Sequence, residues 1–223
     1  MSEQPVEVTT GPNPVGTIIW LHGLGADGHD FESLVPELLR LHHLSLRYVF
    51  PHAPVRPVTI NGGFPMRAWY DVLSFDRSSK LDVAGIGASD ACIRALIERE
   101  HQRGISSERI VLAGFSQGGA MALYTGLRLE QKLAGIMGLS TYMLAPDQLA
   151  TERHAMNQHT PVFLAHGRHD QVLPHSSGEQ TRAALTAAGY EVEWHSYAME
   201  HSLCVEEVAD IAAYLARVYR ATV

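Results

Sequence analysis

The sequence predicts an α/β protein with a mostly parallel central sheet and helices on both faces. Three observations carry that prediction. Short apolar, β-branched runs alternate with longer stretches of helical period, the pattern of parallel strands joined by crossover helices. Hydrophobic residues make up 46% of the 223 positions, enough for one domain (1–223) with a sizeable core. Glycine-rich loops directly follow two of the predicted strands, and sites in such sheets form beyond the strands' carboxyl ends.

In chain order, residues 17–21 (TIIWL) read as a buried strand, 31–41 as a helix and 46–50 (LRYVF) as a strand. A helical pattern spans 83–100, and Gly104 stops it. Residues 109–114 form a strand that runs into a helix over 117–129, and 133–139 and 162–165 are further strands. A helix over 180–188 ends at Gly189, 192–197 (VEWHSY) is the last strand, and 203–218 the last helix. In that helix Cys204, Val208, Ile211, Leu215 and Val218 make one apolar stripe facing a core. Residues 51–81 hold four prolines and paired glycines without a sustained period. They read as a long loop without regular structure, hanging over the crevice.

Acidic residues outnumber basic ones, 24 to 17, for a net charge of −7, which disfavours nucleic acid and anionic lipid as partners. No apolar run reaches the roughly 18 residues that span a bilayer, so no stable membrane insertion is expected. The opening MSEQPVEVTT lacks the basic and apolar stretches of a signal peptide. Cys92 and Cys204 fall in helical segments without metal-ligand spacing and read as reduced, half-buried thiols of a cytoplasmic protein.

The most informative stretch is IVLAGFSQGGA, residues 110–120. A strand runs into G-x-S-x-G and continues as a helix. To raise a serine hydroxyl above the sheet the chain must turn sharply, with Ser116 strained and Gly114 and Gly118 free of side chains that would strike neighbouring backbone. The Gln117 N–H then lies at a helix N-terminus, where it meets negative charge. The bland alternative is an ordinary turn with a capping serine.

A serine needs a base, and the base needs an orienting group. In this kind of sheet the chain order is serine, acid, histidine. Asp147 sits at what reads as a helix start and Asp210 lies inside the last helix; Asp170, in FLAHGRHDQVLP, lies just past a strand. His175 falls where a helix begins and His195 inside a strand, whereas His201 lies between the last strand and the last helix, placed to reach Ser116. A rival reading makes His166, His169 and Asp170 metal ligands.

The stretch IIWLHGLGADG, residues 18–28, matches the G-x-G-x-x-G dinucleotide fingerprint. That reading needs an acid at the end of the second strand, which instead ends YVFPH. Acyl transfer needs backbone donors for an oxyanion. With Gln117 supplying one N–H, Leu24 between its two glycines supplies the other.

Taken together, LHGLGADG, PHAP, NGGF with MRAWYD, GFSQGGA, HGRHDQVLP and EHS resemble the small α/β-hydrolase family of carboxylesterases and acyl-protein thioesterases (the phospholipase/carboxylesterase family). The blocks run in family order from about residue 15 to the C-terminus. The resemblance implies an α/β-hydrolase fold and a cytoplasmic serine hydrolase of esters, thioesters and in some members lysophospholipids. It implies no cofactor and no metal, and a homodimer in some members. Ser116, Asp170 and His201 would be the triad, and the N–H groups of Leu24 and Gln117 the oxyanion hole. Phe64-Pro65-Met66-Arg67 departs from relatives that carry other apolar residues and often a proline directly before the Ala-Trp pair.

Only about 20 residues separate the strand ending at 139 from that beginning at 162, so no large cap domain is expected. Phe64, Met66, Trp69 and Leu73 of the 51–81 loop, with Val172 and Leu173 past the acid, are the candidate lining of a short apolar groove. The expected substrates are short to medium acyl esters, with acyl-protein thioesters or lysophospholipids as the alternative. A metal-dependent hydrolase and a catalytically dead binding module are the remaining readings.

Overall fold

The computed structural model describes residues 3–74 and 81–220. Its strands are β1 (Val6–Thr9), β2 (Gly16–Leu21), β3 (Leu46–Phe50), β4 (Val55–Val58), β5 (Phe64–Arg67), β6 (Ile110–Phe115), β7 (Gly135–Leu139), β8 (Val162–Gly167) and β9 (Val192–Tyr197). The helices are α1 (Val35–His42), α2 (Val83–Gln102), α3 (Gln117–Arg128), a single turn α4 (Leu149–Glu152), α5 (His175–Ala187) and α6 (Val205–Arg220). Seven strands form one sheet in the order β1-β3-β2-β6-β7-β8-β9. All neighbours are parallel except β1, which pairs antiparallel with β3. Among the described residues no helix is long and apolar enough to cross a membrane.

The central strands are apolar on both sides because helices cover both faces. Alternate residues of β2 divide between two cores. Ile19 and Leu21 join Leu112, Met121, Leu164 and Leu185 under α2, α3 and α5. Ile18 and Trp20 join Tyr48, Val111, Phe163, Ile211 and Tyr214 on the face of α1 and α6. The chain crosses from β3 over β2 to β6, so strand order reverses between β2 and β6. That is the switch point of an open α/β sheet, where ligands bind beyond the carboxyl ends.

Several expectations need correction. The 51–81 segment is not without regular structure: β4 and β5 pair antiparallel, with Val55 opposite Arg67 and Val58 opposite Phe64. Two prolines disguise this hairpin in the sequence; residues 75–80 lie outside the described residues. β1 escapes notice because its four residues are only half-buried on alternate positions, too weak an apolar pattern to separate from loop. The helix expected from residue 31 is a 3-10 turn at Glu32–Leu34 leading into α1, which Pro36 opens in its first turn. The helix expected from 180 starts a turn earlier, at His175. Cys92 is exposed rather than half-buried, and Cys204 precedes α6 instead of lying inside it.

α6 carries one unusual buried acid. Glu207, in its first turn, has no exposed surface. Burial pushes its carboxyl up to about 8, partly offset by the Cys204 backbone and reinforced by Asp210 nearby. The folded chain therefore keeps a proton that the unfolded chain releases near 4.5. Across that window the folded state binds more protons, so this residue's contribution to stability falls as pH rises. Glu207→Gln cannot titrate. Its stability relative to wild type should rise from pH 5 to pH 8, by up to roughly 1.4 kcal/mol per pH unit. Denaturant melts of both proteins at the two pH values check this; a pH-independent difference contradicts it.

Candidate active site

Ser116 occupies φ 54°, ψ −120°, a conformation that costs a non-glycine residue on the order of 1–3 kcal/mol and persists only where the surroundings impose it. They do so here. The Ser116 N–H donates to Leu139 O at 2.8 Å, and Thr141 Oγ1 donates to Ser116 O at 2.6 Å. A Cβ at Gly114 would lie 2.2 Å from Gly118 O, and one at Gly118 would lie 2.3 Å from Leu21 O. The two glycines are needed for this approach of β6, α3 and β2, as the sequence pattern predicts.

Because Leu21 pairs with Gly114, the chains leaving β2 and β6 rise side by side. A Cβ at Gly23 would stand 3.5 Å from Ser116 Cβ, so the HGLG loop runs against Ser116. Among the described residues neither the Leu24 nor the Gln117 N–H donates to a protein acceptor. Gln117 opens α3, whose dipole puts partial positive charge there.

His22 holds this loop in place. It is buried; its Nδ1 lies 2.7 Å from Gly23 O and its Nε2 accepts the Ala53 N–H at 3.0 Å. A carbonyl only accepts, so Nδ1 carries the hydrogen and the ring is neutral. Burial pushes its pKa down to about 4. The Gly25 N–H donates to Arg67 O at 2.8 Å, tying the loop to β5. Sequence reasoning took only the Leu24 N–H from this motif; the histidine before its glycines was the available signal for the rest.

Asp170 and His201 meet as expected. His201 Nδ1 lies 2.6 Å from Asp170 Oδ2, and Asp170 Oδ1 accepts the N–H groups of Val172 and Leu173 at 2.9 and 2.8 Å. The acid is buried and the His201 side chain 16% exposed. His201 packs on Phe115, the residue before Ser116, with ring centroids 4.7 Å apart. Among the described residues Ser116 Oγ makes no hydrogen bond, so the serine–histidine contact is not closed in this arrangement. The rival metal cluster does not assemble. His166 Nε2 faces Leu173 O at 2.9 Å and His169 is exposed. Among the described residues no three or more His, Cys, Asp or Glu side chains are grouped to hold a metal.

The candidate groove residues separate. Met66 Sδ lies 3.8 Å from where a Gly25 Cβ would be, beside the HGLG loop. Phe64 and Leu73 are exposed apolar side chains, as is Val172; Leu173 is half-buried. Past the acid it is the backbone N–H groups of Val172 and Leu173, more than their side chains, that touch the site. Trp69 corrects the expectation: it is 2% exposed, a core residue rather than a groove wall. Its Nε1 donates to His22 O at 2.9 Å, and its carbonyl accepts from Ser89 Oγ. The Gln117 side chain grips the same segment, Oε1 accepting the Trp69 N–H and Nε2 donating to Tyr70 O, both at 2.8 Å. One residue thus offers its main chain to the crevice and its side chain to the 51–81 segment.

Known proteins resemble the chain over nearly its whole length. The model of the phospholipase/carboxylesterase family matches residues 5–219. Acyl-protein thioesterase 1 of Neurospora crassa is 40% identical over 220 residues, 95% of this chain and 90% of its own length. Its Gibberella zeae namesake is 37% identical over 220 residues, 95% of this chain and 94% of its own. Among solved structures, Arabidopsis thaliana SOBER1 superposes with a TM-score of 0.85 at 28% identity, covering 91% of this chain and 98% of its own. Zea mays acyl-protein thioesterase 2 gives 0.82 at 28%, covering 96% and 99%. The fold is that of the α/β-hydrolases, the enzyme is a hydrolase of the serine type, and the chain belongs to the phospholipase/carboxylesterase family.

Proposed function

We propose that this chain hydrolyses acyl thioesters, those of acylated proteins included, and oxygen esters more slowly, through an acyl-enzyme on Ser116. The observation that carries the serine mechanism is the Asp170–His201 hydrogen bond standing beside the strained Ser116 turn. The preference for thioesters rests on likeness over nearly the whole chain to proteins named acyl-protein thioesterase. It ranks thioesters above the short to medium acyl esters expected from sequence alone.

In this mechanism the entering acyl group brings Ser116 Oγ to His201 Nε2, a contact that tightens only on binding. Ser116 attacks the acyl carbon as His201 takes its proton. Asp170 holds the Nδ1–H tautomer and stabilises the imidazolium. The Leu24 and Gln117 N–H groups meet the oxyanion. His201 then protonates the departing thiol or alcohol, and water repeats the sequence on the acyl-enzyme. Met66, Phe64 and Leu73 border the acyl chain, with Leu173 on the acid's side.

Turnover of an acyl-thioester and the oxygen ester of the same acyl group, by wild type and Ser116→Ala with and without chelator, tests this. The expected result is a higher kcat/KM for the thioester, no effect of chelator, and a loss in the mutant of at least about 10³-fold. A mutant within tenfold of wild type contradicts the triad. An oxygen ester that outpaces its thioester replaces the substrate reading with carboxylesterase activity.

Gln117→Ala separates the two jobs of that residue. Its N–H remains, but the Trp69 N–H and Tyr70 carbonyl lose their partner. Stability should fall by about 2 kcal/mol, while kcat falls by less than the roughly 10²-fold expected when an oxyanion donor is removed. Denaturant melts and steady-state kinetics check both; an unchanged melt contradicts the clamp.

A further inference from the structure

We propose that His166 is a positioning residue for the acid of the site, acting on Asp170 through the peptide groups of Leu173. The inference rests on the proposed role of Asp170. His166 is the penultimate residue of β8 and has no exposed surface. Its Nε2 lies 2.9 Å from Leu173 O. The carbonyl can only accept, so Nε2 carries the hydrogen and Nδ1 is bare. Nδ1 has no partner among the described residues. Burial lowers the ring's pKa, in keeping with a neutral donor. The ring is wedged in place: a Cβ at Gly178 would lie 2.6 Å from Nδ1, and the His175 ring meets it edge-on at 5.9 Å.

Leu173 is held at both ends. Its C=O is on His166 and its N–H on Asp170 Oδ1. The same His166 Nε2 stands 3.3 Å from Asp170 Oδ2, the oxygen that bonds His201. One rigid donor therefore fixes the turn that presents the carboxylate and lays positive polarity beside the oxygen in use. Val172, the other donor to Oδ1, has a side chain out in solvent and no such anchor. An acid displaced by about 1 Å can cost on the order of 10²-fold in rate. The titratable groups facing the His166 ring are Asp170 and His201 from the two loops and His175 from α5. His175 is itself bonded to Ser196 Oγ and 3.7 Å from Glu179.

His166→Gln returns an amide nitrogen near the position of Nε2, whereas the shorter amide of His166→Asn cannot reach Leu173 O. In His166→Asn, kcat should fall on the order of 10²-fold with KM within about threefold. The acid limb of the kcat/KM profile should move up by roughly half a pH unit, because a carboxylate without this donor holds the His201 imidazolium more firmly. The far-downfield proton resonance of the His201–Asp170 hydrogen bond should shift or broaden. His166→Gln should recover kcat to within about fivefold and restore the limb and the resonance. The proposal is overturned if folded His166→Asn keeps the wild-type kcat, limb and resonance. It is also overturned if Gln and Asn lose activity alike in proportion to their melting temperatures, the mark of a purely structural histidine. The resonance is read without substrate. Failure of the wild type to cleave any ester therefore defeats the functional reading, while the spectrum still decides this one.

Discussion

The site depends on crowding at one turn. β6 must hand over to α3 with Ser116 raised above the sheet, and that is achieved only because Gly114 meets Gly118 and Gly118 meets the end of β2 with no side chain between them. The strain at Ser116 is held by two hydrogen bonds from opposite sides, Ser116 N–H to Leu139 O and Thr141 Oγ1 to Ser116 O. The same contact brings the end of β2 against the turn, so the HGLG loop lies beside Ser116. The Ser116 turn and the HGLG loop are thus products of one packing constraint at the switch point of the sheet, not two motifs that happen to converge.

Around this turn the protein uses neutral buried polar groups rather than charges. His22 and His166 are both buried, and burial lowers both pKa values. Each has its hydrogen fixed on one nitrogen by a carbonyl that can only accept. Burying a charge costs far more than burying a neutral imidazole, so neither ring adds an ion beside Asp170 and His201. Gln117 and Trp69 do comparable work, lacing the HGLG loop, the turn and the 51–81 segment into one unit through hydrogen bonds of 2.8–2.9 Å. Rigidity of this kind keeps reacting groups within the small tolerances catalysis needs.

The alternation of strands and helices, the elbow glycines and the Asp170–His201 pairing were all legible in the sequence, because each leaves a local mark: period, a fixed spacing, or a position between two elements. What was not legible depends on contacts distant in sequence. Trp69 reads as a groove wall in a loop, yet its burial is decided by His22 and Gln117, each nearly 50 residues away. In the sequence His166 carries only a rival reading, as a metal ligand with His169 and Asp170; the curl of the chain that brings Leu173 O to its Nε2 leaves no local mark. The β4–β5 hairpin hides behind prolines that sit opposite one another on its strands, Pro57 against Pro65, where no ladder N–H is required of them. β1 lacked an apolar pattern because it is an edge strand with one face half in solvent.

The central claim is that the acyl group passes through Ser116 Oγ. The most direct measurement is rapid quenching of wild-type protein during thioester turnover, followed by mass analysis of its proteolytic peptides. The expected result is a stoichiometric acyl mass on the peptide carrying Ser116, lost on longer incubation as water completes the cycle. Turnover with no acyl adduct, or with the adduct on Cys92, Cys204 or another residue, would contradict it.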